Sequence, residues 1–190
     1  DGNHHKLKQL FADDFKEEFR TQFVHNTVKE TNNLLSEKYS PEINALKSNI
    51  FYLSDSRRTK INYDNGLFIT HDNRYEWSQH ELFKEIETHP ERFSPNVLLR
   101  PLYQERLMNN IIYVGGPSEI SYWIQLVDMF KYRSQCFPVL KLRSHFLILS
   151  KKTSKIKEQL GLKDTDLFLD YDQQIKIALS RFQSVKTDEL

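Results

Sequence analysis

The chain has 190 residues, with 27 Lys plus Arg against 26 Asp plus Glu, a formal charge of +1, and 38% hydrophobic residues that include 13 Phe and 9 Tyr. That length and apolar content support a buried core and exclude general disorder, and the balanced charge argues against a nucleic-acid partner. A single cysteine, Cys136, excludes an internal disulfide framework and a cysteine-rich zinc site and fits a reduced, cytoplasmic setting, while no apolar run reaches the roughly 20 residues that span a bilayer, so no membrane partner is expected.

The chain opens without methionine and closes in polar sequence, so a piece of a longer protein is expected. His4 and His5 are adjacent but lack a second histidine at helical spacing, and no metal site is expected there. From Leu7 to Leu35 apolar residues, chiefly Phe11, Phe15, Phe19 and Phe23, recur at steps of three or four, which predicts one long helix or two broken ones with a buried phenylalanine stripe. Ser40-Pro41 ends that pattern. Ile50 to Leu53 reads as a buried strand and Asp55 to Lys60 as a charged connection. Ile61 to Tyr63 and Leu67 to Thr70 read as a hairpin about Asn65-Gly66. Ser78 and Glu81 have the spacing of a capping box, with a helix running on toward His89-Pro90.

Val97-Leu98-Leu99 reads as a short strand ended by Arg100-Pro101, Leu102 to Asn109 as a helix, and Ile111 to Val114 as a fully buried strand. A second helical period runs from Ile120 to Phe130, and short strands are expected at Phe137 to Leu140 and Phe146 to Leu149. This alternation is the grammar of an α/β fold with a mostly parallel sheet. The tail, with lysines before Leu160-Gly161 and an amphipathic stretch from Asp164 to Val185, reads as a helical extension, docked on the domain or pairing with another helix.

The stretch IIYVGGPSE carries the strongest chemical signal. Gly115 and Gly116 allow close backbone approach, Pro117 suits the first helical position, and the following helix start favours a negative group. The turn is therefore either an anion-binding floor or an ordinary strand-to-helix connection. It matches neither a dinucleotide fingerprint nor a Walker-type loop. Arg100, at the expected strand end, is either a clamp for a carboxylate or phosphate or half of a structural ion pair. Asn96 caps a loop or orients a substrate. Glu119 serves as a cap or recognises an amine, with Ser118, Tyr122 and Gln125 along one polar helix edge. Arg143 is a second candidate guanidinium for the same pocket, and Ser144 a donor beside it.

The runs FSPNVLLRPLYQ (Phe93 to Gln104) and YVGGPSEISYWIQL (Tyr113 to Leu126) closely resemble the family of bacillithiol-biosynthesis cysteine-adding enzymes. Weaker likeness lies in Phe51-Tyr52-Leu53 with Arg57 and Arg58, in Asp64 to Phe68, and in Arg143-Ser144. The resemblance implies a longer protein with a Rossmann-like nucleotide-binding core and a C-terminal coiled coil that makes a homodimer. It also implies a reaction joining cysteine to glucosaminyl malate through an amide bond, with ATP as the carboxylate-activating cosubstrate. On that resemblance the chain is expected to be a C-terminal portion that lacks, or pairs with, a separate N-terminal portion of the enzyme. Residues 1–40 would form an N-terminal helical segment, 41–150 part of the Rossmann-like core and 151–190 the start of the helical or coiled-coil extension. Arg100, Glu119 and Tyr122 become the catalytic candidates. Asn96, Gly115, Gly116, Ser118, Gln125, Arg143 and Ser144 become the substrate-binding ones. A noncatalytic binding or assembly module that keeps part of the fold is the alternative.

Overall fold

In the computed structural model, which describes residues 1–41, 43–54 and 57–185, with side chains through residue 180, three helices open the chain: α1 (His5–Gln9), α2 (Ala12–Thr21) and α3 (Phe23–Leu35). The expected long helix is thus broken twice, and the second break has a clear cause. Gln22 adopts a left-handed backbone (φ 52°, ψ 39°), and the Glu18 carboxylate turns across the break to accept the Val24 N–H at 3.0 Å. A carboxylate satisfies an orphan donor at the start of α3 and suits its dipole. The phenylalanine stripe is buried as its period requires, with Phe11, Phe15 and Phe23 inside and Phe19 half-buried. Phe11 meets Phe15 edge-on at 5.0 Å, and Phe15 lies 6.0 Å from Phe93.

Strands β1 (Ile50–Ser54), β2 (Arg57–Asp64), β3 (Leu67–Thr70) and β4 (Glu76–Trp77) follow, then helix α4 (Gln79–Thr88) and strand β5 (Phe93–Pro95). They form one five-stranded sheet in the order β4-β3-β2-β1-β5, antiparallel at every pairing. This corrects the expectation of a mostly parallel sheet. Strands joined by two-residue turns must run antiparallel, because a parallel pair needs a crossover of a dozen residues or more. Asn65 and Gly66, both at positive φ (48° and 88°), close the β2–β3 hairpin as a turn of that hand requires. The charged connection expected at Asp55 to Lys60 is largely strand, since β2 begins at Arg57; Asp55 and Ser56 lie outside the described residues. The capping box forms as read: Ser78 N–H donates to Glu81 at 2.8 Å, and Ser78 Oγ accepts the Glu81 N–H.

Val97 to Leu99 is a turn rather than a strand. Asn96 Oδ1 accepts the N–H groups of Leu98 and Leu99, each at 3.0 Å, which bends the chain into helix α5 (Arg100–Met108). Strand β6 (Ile112–Gly115), helices α6 (Pro117–Ile124) and α7 (Val127–Tyr132) and strand β7 (Val139–Leu142) come next. With a helical crossover between them, β6 and β7 do pair in parallel, Ile112 opposite Val139 and Gly115 opposite Leu142. Ile112, Val114, Val139 and Leu142 are exposed, so this strand pair is not the fully buried element that its apolar sequence predicts.

The chain divides after Arg143 into two compact units. The second contains α8 (Lys151–Gln159), a 3-10 turn at Asp164–Phe168 and α9 (Tyr171–Val185), and Gly161 at φ 66° ends the first helical stretch as read. Phe146 to Leu149 forms no strand. Among the described residues no helix is long and apolar enough to cross a membrane.

Candidate functional site

The glycine turn takes its shape from its neighbours rather than from unusual dihedrals. Gly116 has φ −73° and ψ 172°, extended backbone open to any residue. What glycine provides is closeness: a Cβ on Gly116 would lie 2.9 Å from Arg143 Nη2, and one on Gly115 would lie 2.8 Å from Tyr113 Cε1. Arg143 N–H donates to Gly115 O at 2.9 Å, which fixes this residue beside the turn. Its guanidinium lies against the face that the absent side chain of Gly116 leaves open.

Pro117 opens α6, and Glu119 sits at the third helical position. Glu119 Oε2 accepts the Gly116 N–H at 2.9 Å, and Oε1 accepts the Tyr113 hydroxyl at 3.1 Å. The turn therefore already holds a carboxylate, one supplied by the protein. The Gly116 N–H first, then the Tyr113 hydroxyl, with Arg143 and Arg100 farther off, holds the Glu119 carboxyl below its ordinary value, so it stays ionised at neutral pH. Burial pushes the Tyr113 phenol up, and Glu119 adds to that. Tyr113 itself stacks on buried Trp123, with ring centres 3.9 Å apart.

Arg100 is the first residue of α5, a correction to the strand-end position expected for it. Its Nη2 donates to the Tyr122 hydroxyl at 3.0 Å and its Nη1 to Gln104 Oε1 at 3.1 Å. Neither Arg100 nor Arg143 has a salt-bridge partner among the described residues. Arg100, Tyr122, Tyr113, Glu119, Gly116 and Arg143 thus form one chain of contacts. It offers one ionised carboxylate with two guanidiniums farther off along the same chain, a pattern that suits a ligand carrying both an ammonium and an anionic group.

Other sequence candidates lie elsewhere. Gln125 is buried and turned toward α3, where its amide donates to Asn32 Oδ1 at 2.5 Å; beyond that helix the amide also donates to Ile43 O at 2.8 Å and Oε1 accepts the Ile43 N–H at 3.1 Å. Asn96 places Arg100 through the turn described above, and its amide donates to Asn49 Oδ1 at 2.7 Å. Ser118 is exposed on the first turn of α6, and Ser144 is exposed at the start of the second unit. Tyr113 and Gln104 escaped the sequence reading. Tyr113 reads in the sequence as an ordinary strand residue, and its six-residue spacing to Glu119 across the turn is the one signal of their contact.

A strand, a glycine turn, helices and a parallel partner strand make β6-α6-α7-β7 a β-α-β unit of the Rossmann-like class. Residues 1–144 match the family model described as bacillithiol biosynthesis BshC, N-terminal Rossmann-like domain, and the chain belongs to that family. It is 33% identical to the "Putative cysteine ligase BshC" of Flavobacterium johnsoniae over 182 residues, which is 96% of this chain and 34% of that protein. It is 38% identical to the protein of that name from Bacillus pumilus over 149 residues, 72% of this chain and 28% of that protein. The protein of that name from Staphylococcus haemolyticus is 30% identical over 84% of this chain and 27% of its own length. The chain thus spans about a third of the length of the relatives it matches. The match to the N-terminal Rossmann-like domain overturns the expectation that the chain is a C-terminal portion of such a protein. The helices that open the chain contribute Phe11, Phe15 and Phe23 to the hydrophobic core.

Proposed function

We propose that this chain forms part of a cysteine ligase of bacillithiol biosynthesis and that the glycine-turn site binds the amino acid. The carrying observation is the Glu119 carboxylate, bonded by the Gly116 N–H and the Tyr113 hydroxyl at a turn bordered by Arg143, with Arg100 bonded to Tyr122 on the same helix. Free cysteine bears an ammonium and a carboxylate a few ångströms apart. Glu119 would accept from the ammonium, and Arg100, held by Tyr122 and Gln104, would take the carboxylate. The reaction joins that carboxyl group to the amine of glucosaminyl malate, so orientation and charge stabilisation by Arg100 are the contributions asked of these residues.

ATP is the activating cosubstrate implied by the resemblance, but the turn does not fit a polyphosphate. Its Gly116 N–H is occupied by Glu119, whose negative charge repels a phosphate.

The test supplies cysteine, ATP and glucosaminyl malate to the full-length protein and detects the ligated thiol by mass. Arg100→Ala and Glu119→Gln should each lower kcat/KM for cysteine by about 100-fold, the loss of one charged hydrogen-bonding group. Full activity in both variants would place amino-acid recognition elsewhere.

A further inference from the structure

Glu18 stands near the break between α2 and α3, buried, and has no salt-bridge partner among the described residues. Taking a carboxylate out of water without a counter-charge is costly, and only hydrogen bonds offset that cost here. Its Oε2 accepts the Val24 N–H at 3.0 Å, and its Oε1 accepts Asn49 Nδ2 at 2.7 Å. Asn49 is buried as well, and the same Nδ2 donates to Leu46 O at 2.8 Å.

An ionised carboxylate only accepts, so it dictates which way each amide beyond it faces. Asn49 turns its nitrogen to Glu18, which leaves its oxygen for Asn96. Asn49 Oδ1 accepts Asn96 Nδ2 at 2.7 Å, which in turn leaves Asn96 Oδ1 for the N–H groups of Leu98 and Leu99, each at 3.0 Å. Backbone bonds run alongside: Asn96 N–H donates to Asn49 O at 2.8 Å, and Arg100 N–H to Asn96 O at 2.9 Å. Arg100 then opens α5 and donates to the Tyr122 hydroxyl at 3.0 Å. Steps of 31 and 47 residues along the chain are thus joined by side chains alone, from α2 to the turn before α5.

We infer that Glu18 is a positioning residue for amino-acid recognition: through Asn49 and Asn96 it holds the first turn of α5, and with it the Arg100 guanidinium, where the substrate carboxylate binds. The inference rests on the assignment of the glycine-turn site to cysteine. Glu18 itself touches no substrate and acts by setting the polarity of two amides. A relay with its donors and acceptors exchanged would hold the turn equally well.

The test measures KM for cysteine in the full-length ligation assay at about pH 8, where the Glu18 carboxyl, raised by burial to about 7, is mostly ionised. Asn96→Asp keeps an acceptor for the Leu98 and Leu99 N–H groups but sets an oxygen against Asn49 Oδ1. It should raise KM for cysteine about 3-fold or more and leave KM for glucosaminyl malate unchanged. Adding Glu18→Gln lets the Asn49 amide rotate, accept at one end and donate to the new carboxylate at the other, so the double variant should return to within about 2-fold of the parent. Loss of folded protein would lower kcat and leave both KM values alone. An unchanged KM in Asn96→Asp, or a rise that Glu18→Gln does not reverse, overturns the inference. If circular dichroism shows Asn96→Asp to be unfolded, Asn49→Ser, too short to bridge Glu18 and Asn96, decides by the same KM: a rise supports the relay and no change overturns it. Arg100→Ala tells the two assignments apart. A KM for cysteine raised there but not by the relay variants removes the relay alone, whereas an unchanged KM in Arg100→Ala removes the amino-acid assignment and the role of Glu18 with it.

Discussion

Replacing Gly115 by alanine places a methyl group 2.8 Å from Tyr113 Cε1, 3.2 Å from Ile120 Cδ1 and 3.3 Å from Glu119 Cβ. Carbon atoms prefer about 3.5–4.0 Å, so the phenol ring must retreat by roughly 0.7 Å. It has little room, because Trp123 stacks on it at 3.9 Å and its hydroxyl is tied to Glu119 at 3.1 Å. Overpacking of this kind costs about 1–3 kcal/mol, reduced by the roughly 0.4–1 kcal/mol that alanine gains from a stiffer unfolded chain. A net loss of about 1–2 kcal/mol follows. Gly116→Ala is the informative contrast. Its methyl group meets the tip of Arg143, an exposed side chain that can swing aside. The unfolded-state gain is then opposed by the poor standing of alanine at a helix N-cap, and stability should change by less than about 0.5 kcal/mol. Urea unfolding of both variants measures this, with a lower midpoint at unchanged slope for Gly115→Ala. Equal midpoints for the two, or a larger loss at Gly116, would refute the view that Tyr113 is clamped and Arg143 free to move.

Burial raises the Glu18 carboxyl to about 7, against hydrogen bonds from Val24 N–H and Asn49 that favour its ionised form. The native state then takes up a proton at higher pH than the unfolded chain, so stability falls as pH rises from about 4.5 to 7, by ~3 kcal/mol at most. Glu18→Gln should flatten the pH dependence of the melting temperature across that window, and an unchanged profile would assign it to other groups. Asp14, buried, accepts from Arg133 Nε at 2.7 Å and from Arg106 Nε at 3.3 Å. Asp14→Ala leaves both guanidiniums without their counter-charge and should destabilise by about 3 kcal/mol in urea unfolding; a loss below 1 kcal/mol would mean that water replaces the carboxylate. At the proposed site, Tyr122→Phe frees Arg100 from one of its two side-chain contacts and should raise KM for cysteine in the full-length ligation assay with little effect on the unfolding midpoint. An unchanged KM would separate Arg100 from Tyr122 in function.

Local features of this fold were legible because local chemistry decides them. The Asn65-Gly66 turn, the Ser78–Glu81 box, the stop at Gly161 and the phenylalanine stripe each follow from a few neighbouring residues. Sheet direction did not follow from alternating strands and helices, because β1 to β3 are linked too tightly for a parallel crossover. Val97 to Leu99 has the composition of a strand, yet one amide side chain, Asn96, captures its N–H groups and bends it. Of the candidate site, Arg100, Tyr122, Glu119, Gly116 and Arg143 meet in the structure, whereas Gln125 has the right helix but faces α3.

The pairing of β6 with β7 settles more than the course of two strands. Arg143 follows β7 directly, and its N–H donates to Gly115 O at 2.9 Å, so its place over Gly116 is fixed by which residue of β7 stands opposite which residue of β6. A slip of one residue would send its side chain to the opposite face of the sheet and strip the turn of a positive charge. Strand alignment here acts as an electrostatic setting. Substitutions at the exposed Ile112, Val114 or Val139, which touch no ligand in the scheme above, can therefore alter affinity by shifting the strand pair while leaving the core, and its melting transition, as they were.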